Sequence, residues 1–429
     1  MSRPPRDSRA AALALLTGVL DEHRTLDQLA PAALASLPPA ERALAQRLAA
    51  TTLKRLGQID ALLAPRLPRG LKSLPPAARG ALRLGVAQRW FADIPAHAAI
   101  NTSVNLLGRQ TKLKGLVNAV LRRLEESAEA TLAAQDAARL NTPDWLWRTL
   151  EARFDGATAR AIASAHLAEP PLDVTLKPGL DAAEWAGRLG ATVLPTGSLR
   201  LPRGGDLAAR PGHGEGLWWV QDAAAALPAR LLAPRPGEAI ADLCAAPGGK
   251  TLQLAAAGAR VMALDNQEKR LVRLHENLAR TGLEAEVIQA DAATWTAPRP
   301  LDAVLLDAPC SASGTVRRHP DLPHLRRGGD VGPLLDIQRR LLANAAGLLR
   351  PGGRLVYAVC ALSRAEGPDL IADLPAIAPD LAPDPFSPQE RASLPGLLVE
   401  GATVTTHPAL WPELGGLDGF FMARLRRRG

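Results

Sequence analysis

Three cysteines in 429 residues are too few for a disulfide framework. Cys244, Cys310 and Cys360 lie 66 and 50 residues apart, with no CxxC and no Cys/His cluster at metal-ligand spacing. No metal is therefore expected, and thiols left free fit a reducing cytoplasm. No apolar run reaches the roughly 18 residues that a bilayer span needs, so no membrane partner is expected. The start imitates a signal peptide, with Arg3, Arg6 and Arg9 before an apolar stretch. Asp21, Glu22 and His23 follow at once without a small-x-small cleavage site, and the segment reads better as a first amphipathic helix. Aromatics are scarce, at eight Trp, five Phe and one Tyr, and only seven of the 51 basic residues are Lys. With 47% hydrophobic and 22% charged residues, wholesale disorder is excluded. The length suits two to four domains.

The net charge is +8, and its distribution is uneven. Residues 1–150 hold 21 Lys/Arg against 12 Asp/Glu, a net of +9; the remainder holds 30 against 31. Residues 51–124 carry 13 basic residues and only Asp60 and Asp93. A basic domain joined to a neutral remainder predicts a polyanionic partner, nucleic acid first.

Periodicity divides the chain into three. Residues 1–130 read as an all-α domain, with helices over 41–63, 76–91, 96–107 and 113–126 and no intervening strand. Residues 131–221 mix short helical and strand patterns and read as a small α+β linker domain. Residues 222–429 alternate apolar strands at 239–243, 260–265, 286–289, 302–306 and 354–359 with helices. That alternation predicts an α/β domain with a parallel, doubly wound sheet. Ligands bind such sheets beyond the carboxyl ends of the strands. All three cysteines fall there, as do Asp265, Asp291 and Asp307.

The first of these strand ends is Asp242-Leu-Cys-Ala-Ala-Pro-Gly-Gly-Lys-Thr251. Gly248 and Gly249 permit close backbone approach, and the following helix start offers free N–H groups to an anionic group. The segment is one residue away from a phosphate-binding GxxxxGK[ST] loop, with Cys244 at the first glycine and Pro247 stiffening the turn. A nucleoside triphosphatase is therefore a competing reading. Asp265, 23 residues after Asp242, is placed to accept from ribose hydroxyls, and Asp291 from an adenine amine. Cys310, in Asp307-Ala-Pro-Cys, and Cys360 close two further strands. Two thiols beside a cofactor loop suit covalent chemistry on a pyrimidine, whose C5 becomes nucleophilic once a thiolate adds at C6. The residues alone do not rank the two thiols.

These motifs, with Arg317-Arg-His-Pro-Asp321, the run Leu-Arg-Pro-Gly-Gly-Arg-Leu-Val-Tyr before Cys360 and the closing Asp418-Gly-Phe-Phe, closely resemble the Sun/Nop2 family of RNA cytosine-C5 methyltransferases. The N-terminal segment resembles a NusB-type RNA-binding domain through Ile94-Pro-Ala-His-Ala-Ala-Ile100 and Val117-Asn-Ala-Val-Leu-Arg-Arg123. The resemblance covers nearly the whole chain. It implies a multidomain protein with an all-α NusB-like domain, a linker domain and a Rossmann-like class I methyltransferase domain. It implies S-adenosyl-L-methionine as cofactor, held by Cys244, Ala245, Ala246, Pro247, Gly248, Gly249, Lys250, Asp265, Asp291 and Asp307, with Asp307 also touching the target cytosine. Cys360 matches the nucleophile and Cys310 the cysteine that helps release the adduct. Arg317, Arg318 and His319 are expected on a loop that contacts RNA. The implied substrate is 16S rRNA, acted on by a monomer.

The family's pattern is not matched everywhere. Val359-Cys360-Ala361 stands where Thr-Cys-Ser is usual, Ser311-Ala-Ser-Gly314 where Ser-Gly-Thr-Gly is usual, and Gly367 follows Glu366 where Asn is common. A protein that keeps the fold only as an RNA-binding assembly factor is the third reading.

Overall fold

The structure is a computed structural model and describes residue 5 and residues 7–326 and 331–429. The chain divides into two compact units, Met1–Ala168 with Val316–Gly328, and Glu169–Thr315 with Gly329–Gly429. The boundaries expected at 130/131 and 221/222 each fall inside a unit. Hydrogen bonding gives the reason. The side chain of Asn141 accepts from the Gln58 N–H at 3.0 Å and donates to Gln58 Oε1 at 2.9 Å, which binds the later helices to the first ones. Asp173, in the small sheet, accepts from the Ala223 N–H at 3.1 Å and so ties that sheet to the chain beyond residue 222.

The first unit is helical throughout its described residues. Its central helix, Pro76–Phe91, buries residues on nearly every side, as a helix surrounded by others must. Gly85 explains how closely a neighbour approaches it, since a Cβ there would stand 2.5 Å from Leu121 Cδ1. The single helix expected over 41–63 is two, Pro39–Lys54 and Leu56–Leu63, broken at Arg55 with φ −107° and ψ 13°. Leu48 and Leu53 pack with Leu15 and Leu16, whereas Ile59 and Leu62 pack with Leu82 and Val86. One straight helix could not serve both clusters.

The second unit holds two sheets. The smaller is antiparallel, in the order β2-β3-β1-β4, from β1 (Leu172–Leu176), β2 (Thr192–Val193), β3 (Leu199–Leu201) and β4 (Trp218–Val220). The larger contains β5 (Ala239–Leu243), β6 (Arg260–Asp265), β7 (Glu286–Gln289), β8 (Leu301–Asp307), β9 (Leu349–Val359), β10 (Leu381–Pro383), β11 (Leu398–Glu400), β12 (Thr403–Thr406) and β13 (Phe420–Arg427). Its order is β11-β12-β13-β9-β8-β5-β6-β7, with β10 also pairing β13. Strands β5 to β9 are parallel, but β13 runs antiparallel to β9. The sheet is thus mixed, a parallel centre extended by an antiparallel flank. The chain leaves β5 for β6 and β7, then returns to β8 on the other side. That reversal lies at the β5/β8 boundary, where Leu243 pairs with Leu306. Open α/β sheets place their ligand crevice at such a switch point.

Candidate active site

Strand β5 is buried along its whole length and delivers Cys244 into a tight turn. Cys244 adopts φ +64°, the left-handed region in which a phosphate loop carries glycine. Burial pushes its thiol up to about 12, so it stays protonated at neutral pH. Gly248 sits at φ +105°, and a Cβ there would come within 2.4 Å of Leu274 Cδ1. The helix Gly249–Ala256 then begins. Thr251 Oγ1 donates to Asp242 Oδ2 at 2.6 Å, beneath the loop. Burial raises the fully enclosed Asp242 to about 7, against the hydrogen bond from Thr251.

Lys250 reaches away from the loop and pairs with Asp307 Oδ2 at 2.7 Å. Burial alone would lower its pKa, but the charge and hydrogen bond of Asp307 prevail and hold it up. In a phosphate loop the hydroxyl of Thr251 would serve magnesium and the Lys250 ammonium the phosphates. Here the hydroxyl is buried against Asp242 and the ammonium is held by a carboxylate, so the triphosphatase reading loses both groups.

Two more carboxylates stand at neighbouring strand ends. Asp265, closing β6, is 3% exposed, accepts from the Gln267 N–H at 3.0 Å and pairs with Arg270 at 3.0 Å. Asp291, just beyond β7, is exposed and accepts from the Ala293 N–H at 2.9 Å. A glycine-lined cradle that a Cβ would fill, flanked by acceptors on successive strand ends, fits S-adenosylmethionine. Lys250, Asp265, Asp291 and Asp307 would hold it with the backbone of 244–249.

Strands β8 and β9 bring the remaining cysteines together. Asp307 pairs with Ala358, so Cys310 and Cys360 follow the last rung by three and two residues. Their sulfur atoms are 3.4 Å apart. Cys310 is 9% exposed and Cys360 is half-buried. The hydrogen bond to Cys360, then burial, raise the Cys310 thiol well above its ordinary range. Cys310 therefore remains an S–H donor beside the Cys360 sulfur.

Comparison with known proteins gives the family. Residues 229–426 match the model of the 16S rRNA methyltransferase RsmB/F family, and residues 6–126 that of the NusB family. The Ribosomal RNA small subunit methyltransferase B of Sodalis glossinidius is 37% identical over 97% of both chains. The chain belongs to the RsmB/F family. Among solved structures, PH0851 aligns over 100% of both chains with a TM-score of 0.76 and 24% identity. NSun6 from Pyrococcus horikoshii, solved with SFG, aligns over 67% of this chain and 98% of its own, with a TM-score of 0.57 and 19% identity. These two likenesses establish the fold.

Within this RsmB/F protein, the residues of the arginine motif differ in exposure. Val316–Gly328 groups with the helical unit. Arg317 is 2% exposed, and both it and Arg318 have partners within the chain. The Arg317 guanidinium is thus turned inward, whereas His319 is exposed. Sequence patterns also gave little sign of a set of buried polar residues behind Cys310. Glu366 is fully buried, accepts from the Ser311 N–H at 2.8 Å and from Gln338 Nε2 at 3.2 Å. Ser313 Oγ accepts from the Leu362 N–H at 2.9 Å, and the Gly314 N–H donates to the Cys360 carbonyl at 2.9 Å. Acidic Glu366, six residues past Cys360, was the one visible signal. Among the described residues no cluster could hold a metal ion, and no helix is long and apolar enough to cross a membrane.

Proposed function

We propose that this protein methylates C5 of a cytosine in 16S rRNA, with S-adenosylmethionine as methyl donor and a covalent adduct between Cys360 and cytosine C6. The observation that carries this reading is the pair of sulfurs 3.4 Å apart on adjacent strand ends, beside the loop that fits the cofactor. The cofactor supplies an electrophilic methyl. Cys360 adds through its thiolate to C6, opening the C5–C6 double bond and leaving an enamine across C4 and C5 whose C5 takes that methyl. Asp307, tethered by Lys250, faces the cytosine. Release then requires loss of the C5 proton to a base and cleavage of the C6–sulfur bond, its electron pair returning to Cys360. The S–H of Cys310 donates to that sulfur as charge returns to it.

A base within structured RNA must leave its stack to expose C5 and C6, so a flipped or looped-out cytosine is the expected substrate form. The basic helical unit holds the RNA through its phosphates, with His319 as a further contact. The enzyme works as a monomer in the cytoplasm. Bisulfite sequencing of 16S rRNA from cells with and without the gene tests the reading. One protected cytosine is expected to become convertible on deletion, and unchanged conversion at every cytosine would refute it.

A further inference from the structure

The backbone on both sides of Cys310 is held by one closed network of buried side chains. The Ser311 N–H, just after Cys310, donates to Glu366 Oε1 at 2.8 Å. The Pro309 carbonyl, just before it, accepts from Gln338 Nε2 at 2.9 Å. That same Nε2 reaches Glu366 Oε1 at 3.2 Å, joining the two contacts. The Tyr357 hydroxyl closes the circuit, 2.9 Å from the Glu366 carbonyl and 3.3 Å from Gln338 Oε1. Glu366, Gln338 and Tyr357 are all 0% exposed.

A buried carboxylate is costly to retain unless its surroundings engage it. Here Oε1 takes two hydrogen bonds while Oε2 stays buried without a partner among the described residues, a cost accepted where three interior polar residues converge behind a single thiol-bearing turn. Cys360 needs no such support, because it follows directly on a sheet strand. Cys310 lies three residues beyond its strand in a Pro-Cys turn, which nothing in the ladder fixes. A donor at 3.4 Å is sensitive to small displacements, and about 1 Å of misplacement can cost a hundredfold in rate.

We propose that Glu366, with Gln338, is a positioning residue for adduct release: the two clamp Pro309 and Ser311 so that the Cys310 thiol meets the Cys360 sulfur. This rests on the covalent reading above. The charge of Glu366 also acts in the same direction, adding to the hydrogen bond that Cys310 gives to Cys360 and to the burial that keep Cys310 protonated. The departures around Cys360 leave this network intact, since neither Val359 nor Ala361 takes part in it.

The test separates formation of the adduct from its release, using the full-length protein, S-adenosylmethionine and 16S rRNA. Glu366→Ala and Gln338→Ala are expected to form adduct at the wild-type rate but turn over about tenfold to a hundredfold more slowly, accumulating a denaturation-resistant enzyme–RNA complex. Glu366→Gln retains an acceptor for the Ser311 N–H and is expected to restore most of the release rate. S-adenosylmethionine affinity should be unchanged in all three. Release at the wild-type rate in Gln338→Ala, or formation and release slowing together, would overturn the proposal. Should Glu366→Ala not fold, Gln338→Ala and Glu366→Gln still decide it. Failure of the underlying reading looks different: Cys310→Ala would then trap no adduct, whatever Glu366 does.

Discussion

Two sulfurs 3.4 Å apart cannot both carry charge without mutual cost. Cys310 is the more enclosed of the two, and its hydrogen bond to Cys360, then burial, raise its thiol, so Cys310 keeps its proton. That asymmetry distinguishes two thiols that their spacing and strand-end positions left equal and that only the family resemblance ranked. It predicts that Cys310→Ala keeps methyl transfer but leaves the RNA attached; a denaturing gel should show a shifted enzyme band that nuclease removes. Gly248 is demanding in a different way. At φ +105°, with Leu274 Cδ1 only 2.4 Å from where a methyl group would stand, Gly248→Ala combines backbone strain with a clash. The expected loss is of order 1–3 kcal/mol in stability, with weaker S-adenosylmethionine binding, both measurable by thermal unfolding with and without cofactor.

Elements differ in how far their sequences foretell them. Strands β5 and β6 are legible to the residue, because unbroken apolar runs between turn residues admit little else. The loop at Cys244–Lys250 is legible with them, and Cys360 directly follows β9, whose end at Val359 the pattern predicts, whereas Cys310 stands three residues beyond the end of β8. The break at Arg55 is not, because it answers to two separate cores rather than to any local breaker. Nor is the Gln338–Glu366 pair, which lies 28 residues apart and meets only through β9. The charge of Arg317 suggested solvent, and only packing reveals its burial. The helix Gly156–His166 ends on a similarly hidden group. Burial, then the charges of Arg317 and Lys54, lower His166 to about 3. The unfolded chain takes up a proton near pH 6.5 and the folded one only near 3, so acid favours unfolding between those values. Urea unfolding at pH 7 and pH 5 should show His166→Leu escaping about 2 kcal/mol of the wild-type loss on acidification.

Across the whole molecule the charge separates by task. The helical unit carries the excess of basic residues, 27 Lys/Arg against 15 Asp/Glu, while the unit with the methyltransferase-type sheet holds 24 against 28. The helix Thr111–Leu124 shows how the two requirements coexist: Val117, Val120, Leu121 and Leu124 are buried, and every charged residue on it is basic. Replacing Lys112, Lys114, Arg122 and Arg123 by Gln is predicted to weaken RNA binding and flatten its salt dependence, by roughly 0.7 in log–log slope for each phosphate left without its cation. S-adenosylmethionine affinity should not change, and filter binding across a salt series with parallel calorimetry would show it. Everything proposed for the two thiols depends on Cys360 carrying the reaction, and nucleoside mass spectrometry of 16S rRNA treated with enzyme and S-adenosylmethionine decides that point. 5-Methylcytidine is expected from the wild-type protein and none from Cys360→Ala; equal yields from the two would contradict the assignment.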